Sequence, residues 1–237
     1  MEEYGTFRPA EGTLADRASA GARAAFIRRT YVHLALAVLA FAGIETFLLS
    51  LPLAEQLTAV MTNGMAWLVV LLAFIAVSYI AERWAHSATS MGMQYLGLSV
   101  YVVAEAVIFL PLLYVAANYG GPAVIPTAGI VTGCVFAGLT GTAFLSGKNF
   151  SFLGPFLGVS ALAALGVIVC SLLFGFSLGV FFTGAMIALA GGYILYHTSN
   201  VLHEYRVDQH VAASLALFAA VALLFWYILR MLMLSRD

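Results

Sequence analysis

Charged residues are scarce in this sequence. Asp, Glu, Lys and Arg make up 9% of its 237 residues, against about a quarter in soluble globular domains. Hydrophobic residues make up 63%, and the mean hydropathy is +1.00. This composition excludes a soluble domain as the main part of the chain and indicates a protein whose principal solvent is lipid.

Several functional classes lack the residues they need. The formal net charge is -1 and no Lys/Arg stripe with interleaved aromatics occurs in the apolar region, so nucleic-acid binding is excluded. Lys148, the only lysine, lies in a polar break, which excludes a retinal protein with a Schiff-base lysine inside a span. No zinc-binding or P-loop motif occurs, and we expect no cofactor and no resident metal.

Two further features carry no enzymatic function. Cys134 and Cys170 lie inside apolar runs, which predicts small buried thiols and no disulfide framework. The run from Gly175 to Gly179 matches the G-x-S-x-G nucleophile elbow, but that elbow requires a preceding strand and a histidine within reach. We therefore expect a turn there and predict that the protein is not an enzyme.

Seven apolar runs are long enough to cross a bilayer, which takes about 20 helical residues. They lie near residues 30–51, 64–83, 94–117, 122–145, 152–174, 177–199 and 209–234. The sequence predicts an all-α polytopic membrane protein, with a basic N-terminal segment over residues 1–29 and a seven-helix transmembrane domain over residues 30–234. The break near Gly175 is the weakest, so one alternative is that the fifth and sixth spans form a re-entrant pair, which leaves five spans. A second alternative is that the seventh helix lies on the membrane surface, which leaves six.

Basic residues predict the orientation, because Lys and Arg are retained on the cytoplasmic side. The residues before the first span include Arg8, Arg17, Arg23, Arg28 and Arg29. The second, fourth and sixth spans are followed by Arg83, Lys148 and Arg206, respectively. The loops that alternate with these contain no Lys or Arg. The pattern predicts a cytoplasmic N-terminus in the cell (inner or plasma) membrane, with Arg230 and Arg236 on the other side. Residues 1–29 contain no apolar core, so we expect no cleaved signal peptide.

Ionisable residues inside a membrane are candidates for function, because each costs a few kcal/mol to insert. The candidates are Glu45, Glu105 and Arg230 within spans, Glu82 and Arg83 at the end of the second span, and His197 near the end of the sixth. At about 1.5 Å per residue, Glu105 lies about 16 Å, Glu45 about 22 Å and Arg230 about 31 Å from the inner surface. These levels suit a path for protons or cations, with His197 as a pH sensor.

Structural explanations compete with this path. Glu45 and Arg230 are alternatively a neutralising pair, and Glu82 and Arg83 groups that snorkel to the interface. Glu105 is alternatively a protonated carboxyl group, and His197 a satisfied histidine at a helix end. Glu105 is the strongest candidate, because it shares one helix face with Gly97 and Tyr101.

Two other patterns have plain structural interpretations. Small residues recur every four positions at Gly129, Gly133, Ala137 and Gly141, and again at Gly184, Ala188 and Gly192, which predicts close helix packing. The polar loop with His203, Glu204, Asp208 and His210 has no metal-ligand spacing and is interpreted as solvated.

The last 60 or so residues resemble the Bax inhibitor-1 family (the transmembrane Bax-inhibitor-motif proteins), in particular its bacterial branch. The resemblance rests on Phe174-Gly175-Phe176, on Tyr196-His197-Thr198, and on Asp208, Val211-Ala212-Ala213, Leu215, Leu217-Phe218 and Leu229-Arg230. It implies six helices around a central C-terminal helix. It also implies a pH-sensitive calcium leak gated by two carboxylates on the last two helices, suppression of cell death in eukaryotes, and modulation of a membrane-bound ATP-dependent protease in bacteria.

This sequence departs from the family pattern at both gating positions. The first carboxylate of the family corresponds here to His197, and the second falls at Ala220 when the last helix is aligned back from Arg230. Calcium prefers several oxygen ligands, so the calcium gate does not carry over residue by residue.

Two functional hypotheses follow. The first is a leak channel or transporter for calcium, other cations or protons. The second is a non-conducting regulator of membrane proteins, such as a membrane-bound protease, that acts through the basic N-terminal segment.

Overall fold

The computed structural model of the protein describes residues 12–87 and 90–235, so Arg8 and Arg236 lie outside the described residues. Within these ranges the chain forms eight α-helices and no β-strand, apart from one isolated bridge. The helices are α1 (Ala20–Ser50), α2 (Ala54–Met61), α3 (Gly64–Ala85), α4 (Met91–Tyr119), α5 (Val124–Ser146), α6 (Leu153–Phe174), α7 (Val180–His203) and α8 (His210–Leu234).

All of these helices except the short α2 are long and apolar enough to span a membrane, which confirms the seven predicted spans. The break at Gly175 is real: this glycine has a φ of 73° and its N–H donates to the Ser171 carbonyl, which ends α6. Helix α1 begins ten residues before the first predicted span. Ser19 caps it by accepting a hydrogen bond from the Ala22 N–H at 3.4 Å.

Helix α8 is the centre of the bundle. It is apolar on all sides, most of its residues are buried, and it packs against α1, α3, α4, α5 and α7. Helix α6 packs mainly on α7 and on part of α3, and Leu157 is its only buried residue. The helices around α8 are therefore closely packed, except at α6, where the bundle is more open.

Close helix packing occurs at Gly97 and not at the longest row of small residues. A Cβ on Gly97 would lie 2.5 Å from the Ala81 carbonyl oxygen, so α3 and α4 approach each other there. A Cβ on Gly129 or Gly133 would meet nothing within 4 Å, and Gly129, Gly133 and Ala137 are exposed. The prediction that this row on α5 packs tightly is therefore wrong. In the second row, Gly192 does pack, against Leu157 of α6.

The cysteine prediction is half right. Cys134 and Cys170 are free thiols, but both are exposed on the outside of the bundle and not buried within it. An apolar helix in lipid carries similar residues on both faces, so hydropathy did not distinguish the two sides.

A short segment before α1 attaches to the loop between α7 and α8. Leu14 forms an antiparallel bridge with Arg206, and the Ala15 N–H donates to the Tyr205 carbonyl at 2.9 Å. Ala15 is fully buried in the adjacent core. We call the end of the bundle that contains this contact the basic side, and the end that contains the α6–α7 loop the opposite side.

Candidate functional site

A cavity of about 750 Å³ lies between α6 and the rest of the bundle. Its walls come from α3, α4, α6, α7 and α8 and from the α6–α7 loop, and they are mostly apolar. Glu105 and Arg230, two of the predicted site residues, both line it. The fold therefore brings together two ionisable groups that lie 125 residues apart in the sequence.

Glu105 occupies the midpoint of α4, 14 residues from either end. It is 5% exposed, and its Oε2 is buried with no hydrogen-bond partner among the described residues. Gly97 and Tyr101, two turns and one turn before it, are buried as well, so the predicted polar face points into the bundle. An ionised carboxylate without a partner is costly to bury, so this oxygen has a strong need for a proton, a cation or water.

Arg230 lies four residues before the end of α8 and contacts the α6–α7 loop. Its Nη2 donates to the Leu178 carbonyl at 2.8 Å. That carbonyl is available because α6 has ended at Gly175 and α7 begins only at Val180. Arg230 therefore holds the loop at the opposite side of the cavity.

Glu45 and Arg230 do not form a pair, so the neutralising interpretation is wrong. Within residues 12–87 and 90–235, the only ion pair within 4.0 Å joins Arg206 and Asp208, at 2.9 Å. Glu45 is 4% exposed on α1, outside the cavity, and neither carboxyl oxygen has a hydrogen-bond partner in the described part. The structure thus separates Glu45 from Glu105 and Arg230.

His197 is connected to the cavity through an aromatic neighbour that the sequence analysis missed. The His197 ring stacks on Tyr193 at 5.7 Å, and Tyr193 lines the cavity. The Nδ1 of His197 is buried and has no hydrogen-bond partner within the described residues, so it is not a satisfied histidine. The one-turn spacing of Tyr193 and His197 on α7 was the available signal.

Glu82 and Arg83 are exposed at the end of α3, as expected of groups that snorkel to an interface. Gly97, which approaches the α3 backbone at Ala81 and Ala85, and the buried Tyr101 lie on α4 between this end of the bundle and Glu105.

A second polar cluster, also missed, joins α1, α4 and α8. His33 donates from Nδ1 to the Arg29 carbonyl at 2.7 Å, and its Nε2 therefore accepts from the Tyr95 hydroxyl at 3.0 Å. The His33 and His210 rings are 5.0 Å apart. No group of three or more His, Cys, Asp or Glu that is suited to a metal occurs in the part of the chain the structure describes.

The α7–α8 loop is held by internal contacts. Arg206 donates to Asp208 from Nε at 3.2 Å and from Nη2 at 2.9 Å, and this bidentate contact lowers the pKa of the Asp208 carboxyl below its ordinary value. The Arg206 N–H also donates to the side-chain oxygen of Gln209 at 3.0 Å. Of the four residues predicted in a solvated loop, His203 ends α7 and His210 begins α8, where it is 5% exposed.

Ala220, the second gating position of the resembled family, is buried in apolar packing on α8. Ala190 and Ile194 of α7 belong to the same apolar cluster. The two gating positions of the resembled family, His197 and Ala220 in this chain, therefore hold no carboxylate pair. The ionisable residues that line the cavity lie at other positions.

Comparison with known proteins shows which family and which proteins this chain is similar to. Residues 23–237 match the model of a family described as inhibitor of apoptosis-promoting Bax1. The chain is 30% identical over 207 residues to Protein LIFEGUARD 4 of Arabidopsis thaliana, covering 84% of this chain and 81% of that protein. It is 26% identical over 207 residues to an uncharacterized protein of Pseudomonas aeruginosa, covering 84% of each. A stretch of 110 residues is 37% identical to the BI1-like protein of Arabidopsis thaliana, and it spans only 42% of that protein's length.

Proposed function

Because the chain belongs to the family of inhibitors of apoptosis-promoting Bax1, we propose that this multi-pass membrane protein is a pH-sensitive leak pathway for protons or cations. Glu105 is the central group of this pathway. The other predicted members are His197, Glu82 and Arg83 toward the basic side and Arg230 toward the opposite side.

The observation that carries the proposal is the position of Glu105. Its carboxyl group is at mid-bundle, borders a cavity, and has an oxygen without a hydrogen-bond partner among the described residues. Ionisable groups this deep in a membrane protein generally face water or an ion path. A proton or cation that enters the cavity supplies the partner that the protein does not.

The pathway proposed here leaves out Glu45, which the sequence had predicted as a member. This residue is buried on α1 and does not line the cavity, although its carboxyl oxygens, like Oε2 of Glu105, have no hydrogen-bond partner among the described residues. The cavity also offers a single carboxylate, and calcium prefers six to eight oxygen ligands. Protons and monovalent cations therefore fit the site better than calcium does.

The pH response is assigned to His197. Its ring stacks on Tyr193 at the cavity wall, and its Nδ1 is buried without a hydrogen-bond partner among the described residues. Gain of a charge at this buried point favours a different packing of α7 and thereby gates the path.

Flux measurements in proteoliposomes test the proposal. Purified protein should release a pH gradient or a cation gradient between pH 5 and 8, and Glu105→Gln should remove most of this flux. Glu55→Gln, a change at an exposed position on α2, is the matched control and should leave flux unchanged. Equal flux from Glu105→Gln and the wild type would refute the proposal.

A regulator of other membrane proteins is the second candidate, and the contact between residues 13–15 and the α7–α8 loop favours it. This contact presents an ordered surface at the basic side. We propose that this side is cytoplasmic, in the cell (inner or plasma) membrane, because basic residues are retained there. Crosslinking should then capture a partner, such as a membrane-bound protease, and Leu14→Pro should lower the yield. A yield that does not change would exclude this surface as the contact.

A further inference from the structure

Arg230 is a cation at the end of an apolar cavity. One of its N–H groups donates to the Leu178 carbonyl, and no carboxylate of the described residues lies within 4.0 Å of its guanidinium. A guanidinium has five N–H donors, so several remain for another acceptor. Within a membrane span such a charge requires an anion or water to offset its desolvation.

Helix α6 forms a thin wall between this cavity and the lipid. Only Leu157 of α6 is buried, and the helix packs mainly on α7 and on part of α3. Its cavity-facing residues are small or aliphatic, namely Ala161, Ala164, Leu165, Ile168, Ser171 and Leu172. An elongated apolar molecule therefore has an entry beside α6 that disturbs little of the core.

We propose that the cavity binds a long-chain fatty acid from the bilayer, with its carboxylate on Arg230 and its chain along α6 toward Glu105. A carboxylate matches the planar fork of a guanidinium and accepts two hydrogen bonds from it. The volume of about 750 Å³ lies within the usual range for small-molecule sites, and the walls are mostly apolar.

The size of the cavity favours a fatty acid over a phospholipid. Its volume of about 750 Å³ suits one small molecule, whereas a phospholipid brings two acyl chains and a larger head group. Arg230 lies four residues, about 6 Å, before the end of α8 and offers its remaining donors to one carboxylate. This inference goes beyond the ion pathway, because the site binds its ligand whether or not ions pass.

A photoreactive palmitic acid that carries a diazirine tests the proposal on the full chain in phosphatidylcholine nanodiscs. Labelling should map to α6 and α8, and excess oleate should suppress it. Arg230→Gln should weaken the binding at least roughly tenfold, since a hydrogen bond to a charged group is lost. Arg28→Gln, which removes an exposed arginine of α1, should leave labelling unchanged.

A pair of tryptophan variants on α6 tests the path of the chain. Ala164→Trp fills the cavity and should abolish oleate-sensitive labelling, whereas Ala163→Trp, at the neighbouring exposed position, should not. This pair gives an answer even if Arg230→Gln does not fold. Labelling spread evenly over all helices, equal labelling of Ala164→Trp and Ala163→Trp, or competition by phosphatidylglycerol and not by oleate would overturn the proposal. Because labelling does not depend on ion flux, a protein that conducts nothing and still binds oleate would refute only the pathway.

Discussion

The contact between α3 and α4 predicts a large effect from a single methyl group. A Cβ added at Gly97 would lie 2.5 Å from the Ala81 carbonyl oxygen and 2.7 Å from the Ala85 nitrogen. Both atoms belong to the α3 backbone, so no side-chain rotation relieves the overlap. To restore an ordinary contact of 3.4 Å, the two helices must separate by about 0.9 Å at this point.

Overpacking of this kind costs about 1–3 kcal/mol. For a chain of this length, 1 kcal/mol corresponds to a change of about 2–4 °C in Tm, so Gly97→Ala should lower Tm by roughly 2–12 °C. Thermal unfolding in detergent, followed by intrinsic fluorescence, measures the difference. The same substitution at Gly133 is the control, because a Cβ there meets nothing within 4 Å and alanine is favoured over glycine in a helix. The packing argument is refuted if the two variants have the same Tm.

Two further substitutions test contacts outside the cavity. Arg206 lowers the pKa of Asp208 below its ordinary value of 3.8, so the pair stabilises the folded state above that value, and this contribution is lost as the pH falls through the lowered pKa. Asp208→Asn should therefore lower Tm slightly at pH 7, and the gap to the wild type should close in acid; a constant gap would contradict the pairing. Ser199→Ala should cost about 1–3 kcal/mol, because the Phe150 N–H that donates to its Oγ at 2.7 Å loses its partner. Ser235→Ala should have no such effect in the same unfolding assay, because the exposed Leu232 carbonyl that loses this hydroxyl donor can bond to water instead.

The seven membrane spans and most of their limits were predictable from the sequence, because spans require long apolar runs. The short helix α2 and the start of α1 were not. Arg23, Arg28 and Arg29 lower the hydropathy before residue 30, but arginine is a good helix former and the helix continues through them. Hydropathy therefore located the apolar part of α1 and not the helix itself.

The orientation of each helix face was much less predictable. In lipid, the residues that face outward are as apolar as those that face inward, so Gly133 and Cys134 gave no sign that they are exposed. The absence of a Glu45–Arg230 pair likewise depends on the tertiary arrangement. The attachment of Leu14 to the α7–α8 loop uses backbone groups, which carry no sequence signal.

Thiol labelling shows whether water reaches Glu105, the group on which the proposed pathway depends. Glu105→Cys and Glu45→Cys are prepared in a background with Cys134→Ser and Cys170→Ser, and each is treated with a small hydrophilic thiol reagent in proteoliposomes. Both positions are almost fully buried, at 5% and 4% exposure, but only Glu105 borders the cavity. If water reaches Glu105, the thiol of Glu105→Cys is modified rapidly and that of Glu45→Cys is modified little. Equal protection of both thiols across pH 5 to 8 would show that Glu105 lies on no water path.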